Sequence, residues 1–324
     1  MKRVILLIAF VLMSSHLAMA TFSIVAIDPA NGDMGVAVAS RYFAVGTVVP
    51  WAEGGVGAVA TQANVNVGYG PRALELLKQG LTAQQVMDKL FAEDTFPGKD
   101  GRQIAIVDAK GNIAVFSGDG AQDWKGHKKG MTWSAQGNIL VGPQVVDAMG
   151  KAFESTNDEL AEKLYAALKA GDEAGGDSRG RQSASILVVR KGGGRNTNND
   201  RYVYINVDDS QEPMHELRRL LDIQMRGNHQ SALGRALSEN RYADALNSAA
   251  HLVRYSPLAA QSHMTLGFVA YLAGKQDEAL TAFKRAHELT LPNQFKQLWE
   301  MTSGRGQFKK VLEDKEFVAR VTGS

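Results

Sequence analysis

The chain contains no cysteine, so neither disulfide staples nor a lipid-modified cysteine can contribute to its structure or anchoring. Charge of one sign is missing as well. Thirty-six Lys and Arg stand against 34 Asp and Glu, with no basic stripe of the kind that draws nucleic acid or a membrane surface. Past residue 20, no apolar run approaches the ~20 residues that span a bilayer. Histidine is sparse too. Of seven, His16 falls in the first twenty residues and only His127 lies between there and His215. No His/Asp/Glu set has ligand spacing, so neither a metal nor a cofactor is expected. A chain of 324 residues can bury its core without such aids and is better divided into two domains than one.

What is present begins with a leader. Lys2 and Arg3 precede an apolar run from Val4 to Met13, and small residues end in Ala18-Met19-Ala20. This is the three-part layout of a secretory signal with an A-x-A cleavage site. The expected product is a secreted, periplasmic protein that starts at Thr21, without membrane insertion after cleavage. Losing Lys2 and Arg3 leaves it 34 basic and 34 acidic residues.

Residues 22 to 220 alternate between strand pairs and helix pairs. Phe22–Asp28 and Met34–Ser40 flank the turn Pro29-Ala30-Asn31-Gly32-Asp33, a hairpin signal. Gly55 to Gln62 reads as a buried strand. Pro71 opens a helix that ends before Gly80, and Thr82 with Gln85 forms a capping box for Ala83–Phe91. Strands follow at Arg102–Asp108 and Asn112–Ser117, then a helix pair from Pro143 to about Ala170, broken near Ser155–Asp158. Strands return at Ser183–Arg190 and Arg201–Val207. This order is not the strict βαβ alternation of a parallel sheet. It predicts an α+β fold of two stacked, hairpin-linked sheets with helices outside each.

After Leu221 the pattern is wholly helical. Gln261 to Pro292, with Leu266, Gly267, Tyr271, Gly274, Ala279, Phe283 and Ala286, resembles a tetratricopeptide (TPR) helix–turn–helix repeat, and Asn228 to Pro257 a degenerate one. Two repeats are few for a free-standing array. A small all-α, TPR-like domain over 223–324 is therefore expected to pack on the first domain, on a protein partner or on a second copy.

Cleavage after Ala20 would place an α-amine on a threonine. A threonine hydroxyl is almost wholly protonated at neutral pH, whereas an α-amine titrates at roughly 7.7 to 8. The amine can take the hydroxyl proton directly or through one water, making Thr21 an activated nucleophile with no separate histidine.

The runs TFSIVAID, GVAVASRYFAVGTVVPWAEGGVGAVATQA, RQIAIVD, WKGH, QGNILVGPQVVDAM, AGGDSRGRQSA and VDDSQEP resemble the domain-of-unknown-function 1028 family, within the N-terminal-nucleophile (Ntn) hydrolase superfamily. They span about Thr21 to Leu221. The resemblance implies a four-layer αββα sandwich over 21–222 and hydrolysis of a small amide or peptide by an N-terminal threonine. It also implies site positions. Ser40 and Arg41, ending the second strand, fall beside the nucleophile, and Arg41 would depress the amine pKa or hold a substrate carboxylate. Thr61, Gln62 and Asn64 fall where such folds supply an oxyanion hole. Gly137-Asn138 and Gly175 to Gly180 are read as turns converging on the site, with Asp177 orienting the amine and Arg179 binding an anionic substrate. His127 would line the pocket, as would Trp51, Trp124 and Trp133. The lysine that many Ntn peptidases place beside the nucleophile has no counterpart in Val48–Gly57.

Two rival motifs fail on context. Gly176-Asp177-Ser178-Arg179-Gly180 fits G-x-S-x-G, but a helix precedes it and a strand follows, the reverse of a nucleophile elbow. Gly55-x-Gly57-x-x-Ala60 leads into a strand, not the helix a dinucleotide site needs. The expectation is an exported amidohydrolase; the alternative is a non-catalytic periplasmic binding or scaffold protein that docks a partner through its helices.

Overall fold

The computed structural model describes residues 20–119 and 124–323. The expected leader up to Met19 lies outside the described residues. The chain forms two compact units, one ending at Leu217 and one starting at Arg218.

The first unit is mixed α+β. Its elements in order are β1 (Thr21–Asp28), β2 (Asp33–Ser40), β3 (Pro50–Glu53), β4 (Gly57–Ala63), α1 (Tyr69–Lys78), α2 (Ala83–Glu93), β5 (Arg102–Asp108) and β6 (Ile113–Ser117). Then come β7 (Trp124–Lys129), β8 (Trp133–Leu140), α3 (Gln144–Ser155), α4 (Leu160–Glu173), β9 (Ser183–Val189) and β10 (Arg201–Val207). The strands make two open sheets, one ordered β10-β9-β2-β1-β8-β7 and the other β3-β4-β5-β6. The paired strands are antiparallel. The capping box at Thr82 and Gln85 is formed as expected.

Strand periodicity sorts the residues. On β1, Val25 and Ile27 join Val36 and Val38 of β2, Ala58 and Ala60 of β4, Ala105 and Val107 of β5, and Leu187 and Val189 of β9 in one apolar cluster between the sheets. On the other side of the smaller sheet, Val59, Ile104 and Ile106 pack with α1 and α2 through Leu76, Val86 and Leu90. Helices α3 and α4 lie against β1, β2, β8 and β9. Each buried Val, Leu or Ile contributes about 1.5–3 kcal/mol.

Three strands were not anticipated. β3 is four residues long, begins with proline and sits at a sheet edge, the position where a missing ladder N–H is tolerated. β7, WKGHKK, is the charged opposite edge of the larger sheet. β8 is more consequential. Gly137 and Asn138, expected in a turn, lie within β8, and Asn138 is the register partner of Thr21. Polar residues at every second position, Ser134, Gln136 and Asn138, had hidden the strand.

The second unit is helical. α5 (Pro213–Ser238) leads into α6 (Tyr242–Tyr255), α7 (Ala260–Leu272), α8 (Gln276–Glu288), α9 (Pro292–Ser303) and α10 (Lys315–Thr322). Its core gathers Phe268, Phe283, Trp299, Phe308 and Phe317. α7 and α8 approach so closely that a Cβ on Gly267 would stand 2.6 Å from the Phe283 ring. Among the described residues, no helix is long and apolar enough to cross a membrane.

Candidate active site

Thr21 opens β1, between Ser40 of β2 and Asn138 of β8. Alternation points its side chain, like those of Ser23 and Val25, toward the smaller sheet. It is fully buried. Its Oγ1 lies 3.0 Å from Ser40 Oγ, and Ser40 Oγ donates to the Ala20 carbonyl at 2.5 Å. Since that bond uses the one serine hydroxyl hydrogen, the Thr21 hydroxyl is the donor in the first.

The Ala20 carbonyl also accepts from Arg179 Nη2 at 3.0 Å. Asp177 determines where Arg179 goes. Its Oδ1 accepts from Arg179 N at 2.9 Å and Nε at 3.1 Å, and its Oδ2 from Nη2 at 2.9 Å. Oδ2 also accepts from the Arg41 amide at 2.7 Å, tying the clasp to the end of β2. Asp177 therefore orients the arginine and has little capacity left for an amine. The clasp sits on a turn with Gly175, Gly176 and Gly180 at φ 114°, 52° and 111°, a backbone only glycine takes without strain. A bridge between Asp177 and Leu140 fastens this turn to β8. Immediately after Asn138, Ile139 adopts φ 52°, a costly conformation for a β-branched residue.

Below Thr21 a chain of buried amides and hydroxyls links the sheets. Gln62 Nε2 donates to the Thr21 carbonyl at 3.3 Å and to Gln103 Oε1 at 2.7 Å. Asn138 Nδ2 donates to the same Gln103 oxygen at 3.0 Å. Gln103 Nε2 donates to Gly137 O at 2.9 Å and Ser117 Oγ at 2.8 Å. On the far side, Ser23 Oγ donates to Gln62 Oε1 at 2.6 Å, and Gln136 Nε2 to Ser23 Oγ at 2.7 Å. Gly137 permits the crowding, since a Cβ there would stand 3.1 Å from the Thr21 carbonyl oxygen.

The expected site residues thus divide. Ser40, Arg41, Gln62, Asn138, Asp177 and Arg179 gather at the head of β1. Thr61, one residue from Gln62, faces the opposite side of β4, where its hydroxyl donates to Asn66 O at 3.3 Å. Asn64 holds a loop instead, donating to Gly98 O at 3.1 Å. His127 ends the polar chain, its Nδ1 3.0 Å from Ser117 Oγ. Burial first, then the charge of Lys129, hold its imidazole below the ordinary histidine pKa, so it is neutral at pH 7. Trp133 is core, packed on Phe153, and Trp51 lies against Gly70. Gln103, Ser23, Gln136 and Ser117 went unrecognised; their signal was a polar residue at alternate positions of otherwise apolar strands.

Beside this region lies a cleft of about 530 Å3 bordered by Ser40, Asp177, Phe22, Asp172 and Arg181. A second cleft of about 360 Å3 shares Arg181 and Gln211 with it and adds Arg41.

Comparison with curated proteins finds no match. The crystal structure of protein SPO2555 from Silicibacter pomeroyi is similar, with 30% identity and a TM-score of 0.56 over 62% of this chain and 88% of that one. Residues 21–217, from the first residue of β1 to the end of the first unit, match a family model. The chain belongs to the family of unknown function DUF1028.

Proposed function

We propose that the first unit is a four-layer Ntn-type sandwich and that the exported protein, cut after Ala20, is an amidohydrolase with Thr21 as nucleophile. One observation carries this reading: the relay from Thr21 Oγ1 through Ser40 Oγ to the carbonyl attached to the Thr21 nitrogen, 3.0 and 2.5 Å long. Removing Ala20 withdraws that carbonyl and turns the nitrogen into an amine. The Ser40 hydroxyl is then placed to donate to the amine while accepting from Thr21 Oγ1. The charge of Arg179, which reaches Ala20 O, favours the unprotonated amine. The family match that starts at Thr21 is consistent with a leader lying outside the conserved fold.

In the mechanism, Thr21 Oγ attacks the amide carbonyl carbon as its proton passes through Ser40 to the amine. The resulting ammonium protonates the departing nitrogen, the C–N bond breaks, and an ester forms on Thr21. Water, deprotonated by the same amine, hydrolyses the ester and restores the hydroxyl. Gln62 and Asn138 bring amide groups beside Thr21, both held by Gln103. For the second unit, α7 and α8 support a TPR-like hairpin at the segment that resembles the repeat.

Two measurements test the reading on protein exported by its own leader. Mass spectrometry should find the mature end at Thr21. A β-lactone electrophile, which an activated hydroxyl opens to an ester, should label that residue. Thr21→Ser should keep the label and Thr21→Ala lose it. A mature end elsewhere, or labelling unchanged in Thr21→Ala, sinks the proposal.

A further inference from the structure

Arginines of the first unit are mostly spoken for. Arg72 pairs with Glu75 and Glu93, Arg102 with Asp94, Arg179 with Asp177, Arg181 with Asp172 and Glu212, and Arg190 with Asp33. Arg41 differs. Its side chain is exposed, and the one hydrogen bond its guanidinium makes among the described residues is from Nη1 to the Arg179 carbonyl. No carboxylate among the described residues pairs with it. It follows Ser40, whose hydroxyl touches Thr21, and its own amide is clasped by Asp177. The guanidinium is thus pinned at one nitrogen and open at the others, on the wall of the 360 Å3 cleft with Arg181, Gln182, Ser210 and Gln211.

We infer that this cleft binds a free carboxylate of the substrate, so that the substrate is an amide carrying a carboxylate on one flank. The proposal rests on the amidohydrolase reading for the word substrate, but the binding site stands on geometry alone. A planar carboxylate matches the guanidinium fork and can take two of its N–H groups together. A phosphate fits less well, because Asp209 lines the same cleft and Asp172 and Glu173 line its neighbour, and these repel a dianion more than a monoanion. The charge of Arg181 is already shared with Asp172 at 2.8 Å and Glu212 at 3.4 Å, which leaves Arg41 as the cation that selects.

Equilibrium binding tests this without turnover, using mature Thr21→Ala protein. The probes are N-acetylglycine, N-acetyl-L-alanine and N-acetyl-L-glutamate, each against its carboxamide. At least one acid should bind about tenfold or more tighter than its amide, the size of effect a charge-assisted bidentate contact supplies. Arg41→Met should abolish that preference. Arg41→Gln, which keeps a donor for the Arg179 carbonyl, should abolish it too, showing that the loss does not come from a loosened turn. Arg201→Met, at an exposed arginine stacked over Tyr204 on β10, should leave it intact. No preference for any acid, or a preference that survives Arg41→Gln, overturns the proposal. Failure of β-lactone labelling with an intact acid preference would instead remove Thr21 as nucleophile and leave the carboxylate site standing.

Discussion

The space between the two sheets has an apolar half and a polar half, and the same strands build both. Along β1 the inward residues run Thr21, Ser23, then Val25, Ile27; along β9, Ser183, Ser185, then Leu187, Val189. The inward residues of β2 are Val36, Val38, then Ser40; those of β4 Ala58, Ala60, then Gln62; and on β5 Gln103 comes ahead of Ala105 and Val107. The switch comes toward the same end of all five strands, one inward position later on β2, where Val38 is the partner of both Ser23 and Ser185. A sandwich held together by burial alone would carry apolar residues to the end, and burying polar groups is costly unless each is partnered. The apolar half supplies stability. The polar half spends some of it to hold Thr21 and its neighbours in one arrangement.

Breaking the polar half at its centre has the largest expected effect. Gln103→Leu strands the Asn138 amide, takes the Gln103 donor from Gly137 O and Ser117 Oγ, and leaves Gln62 Nε2 only the Thr21 carbonyl. At about 1–3 kcal/mol per unpaired buried group, urea titration should show a loss of roughly 5 kcal/mol, with β-lactone labelling lost as well. In the apolar half, Leu187→Ala should cost about 3 kcal/mol, yet the folded fraction should be labelled at the wild-type rate. If both variants lose labelling in proportion to stability, the two halves are not functionally distinct.

On the helix side of the smaller sheet, next along the chain from Gln103, Arg102 is held by Asp94, which accepts from Arg102 Nε at 2.9 Å and Tyr69 Oη at 2.5 Å. Burial alone would raise the Asp94 carboxyl, but the hydrogen bonds from Arg102, Tyr69 and the Phe96 amide outweigh it and hold the pKa at about 2. A carboxyl depressed below its unfolded value of 3.8 stabilises fully above about pH 4, and that contribution is lost as pH falls toward 2. Asp94→Asn should cost about 2 kcal/mol at pH 7 and flatten the acid limb of a stability–pH profile; an unchanged limb would place the acid sensitivity elsewhere. The smallest stability effect belongs to Ser40→Ala, about 1 kcal/mol. Its labelling rate should nonetheless fall on the order of a hundredfold, as befits a lost proton relay. A rate within threefold of wild type would exclude the relay.

Elements with a local cause were legible in the sequence. The β1–β2 hairpin follows from its turn residues, α2 from its capping box, and the separate helical region from its composition. β8 was not legible, because Ser134, Gln136 and Asn138 contradict the apolar alternation of a buried strand. They are explained only by their partners in the assembled sheets: the Ser23 hydroxyl of β1 for Gln136, the Gln103 amide of β5 for Asn138, and Gln136 in turn for Ser134.

The candidate site divides the same way. A threonine following a leader-like segment is visible in one dimension, as is the chemistry its amine could perform. That Gln62 faces Thr21 while Thr61 turns away is set by the facing of β4 against β1. That Asp177, expected to orient an amine, clasps Arg179 is set by a glycine turn fastened to β8. Hydrogen-bond partners far apart in sequence are chosen by which strands lie side by side, and that choice is made only when the sheets assemble.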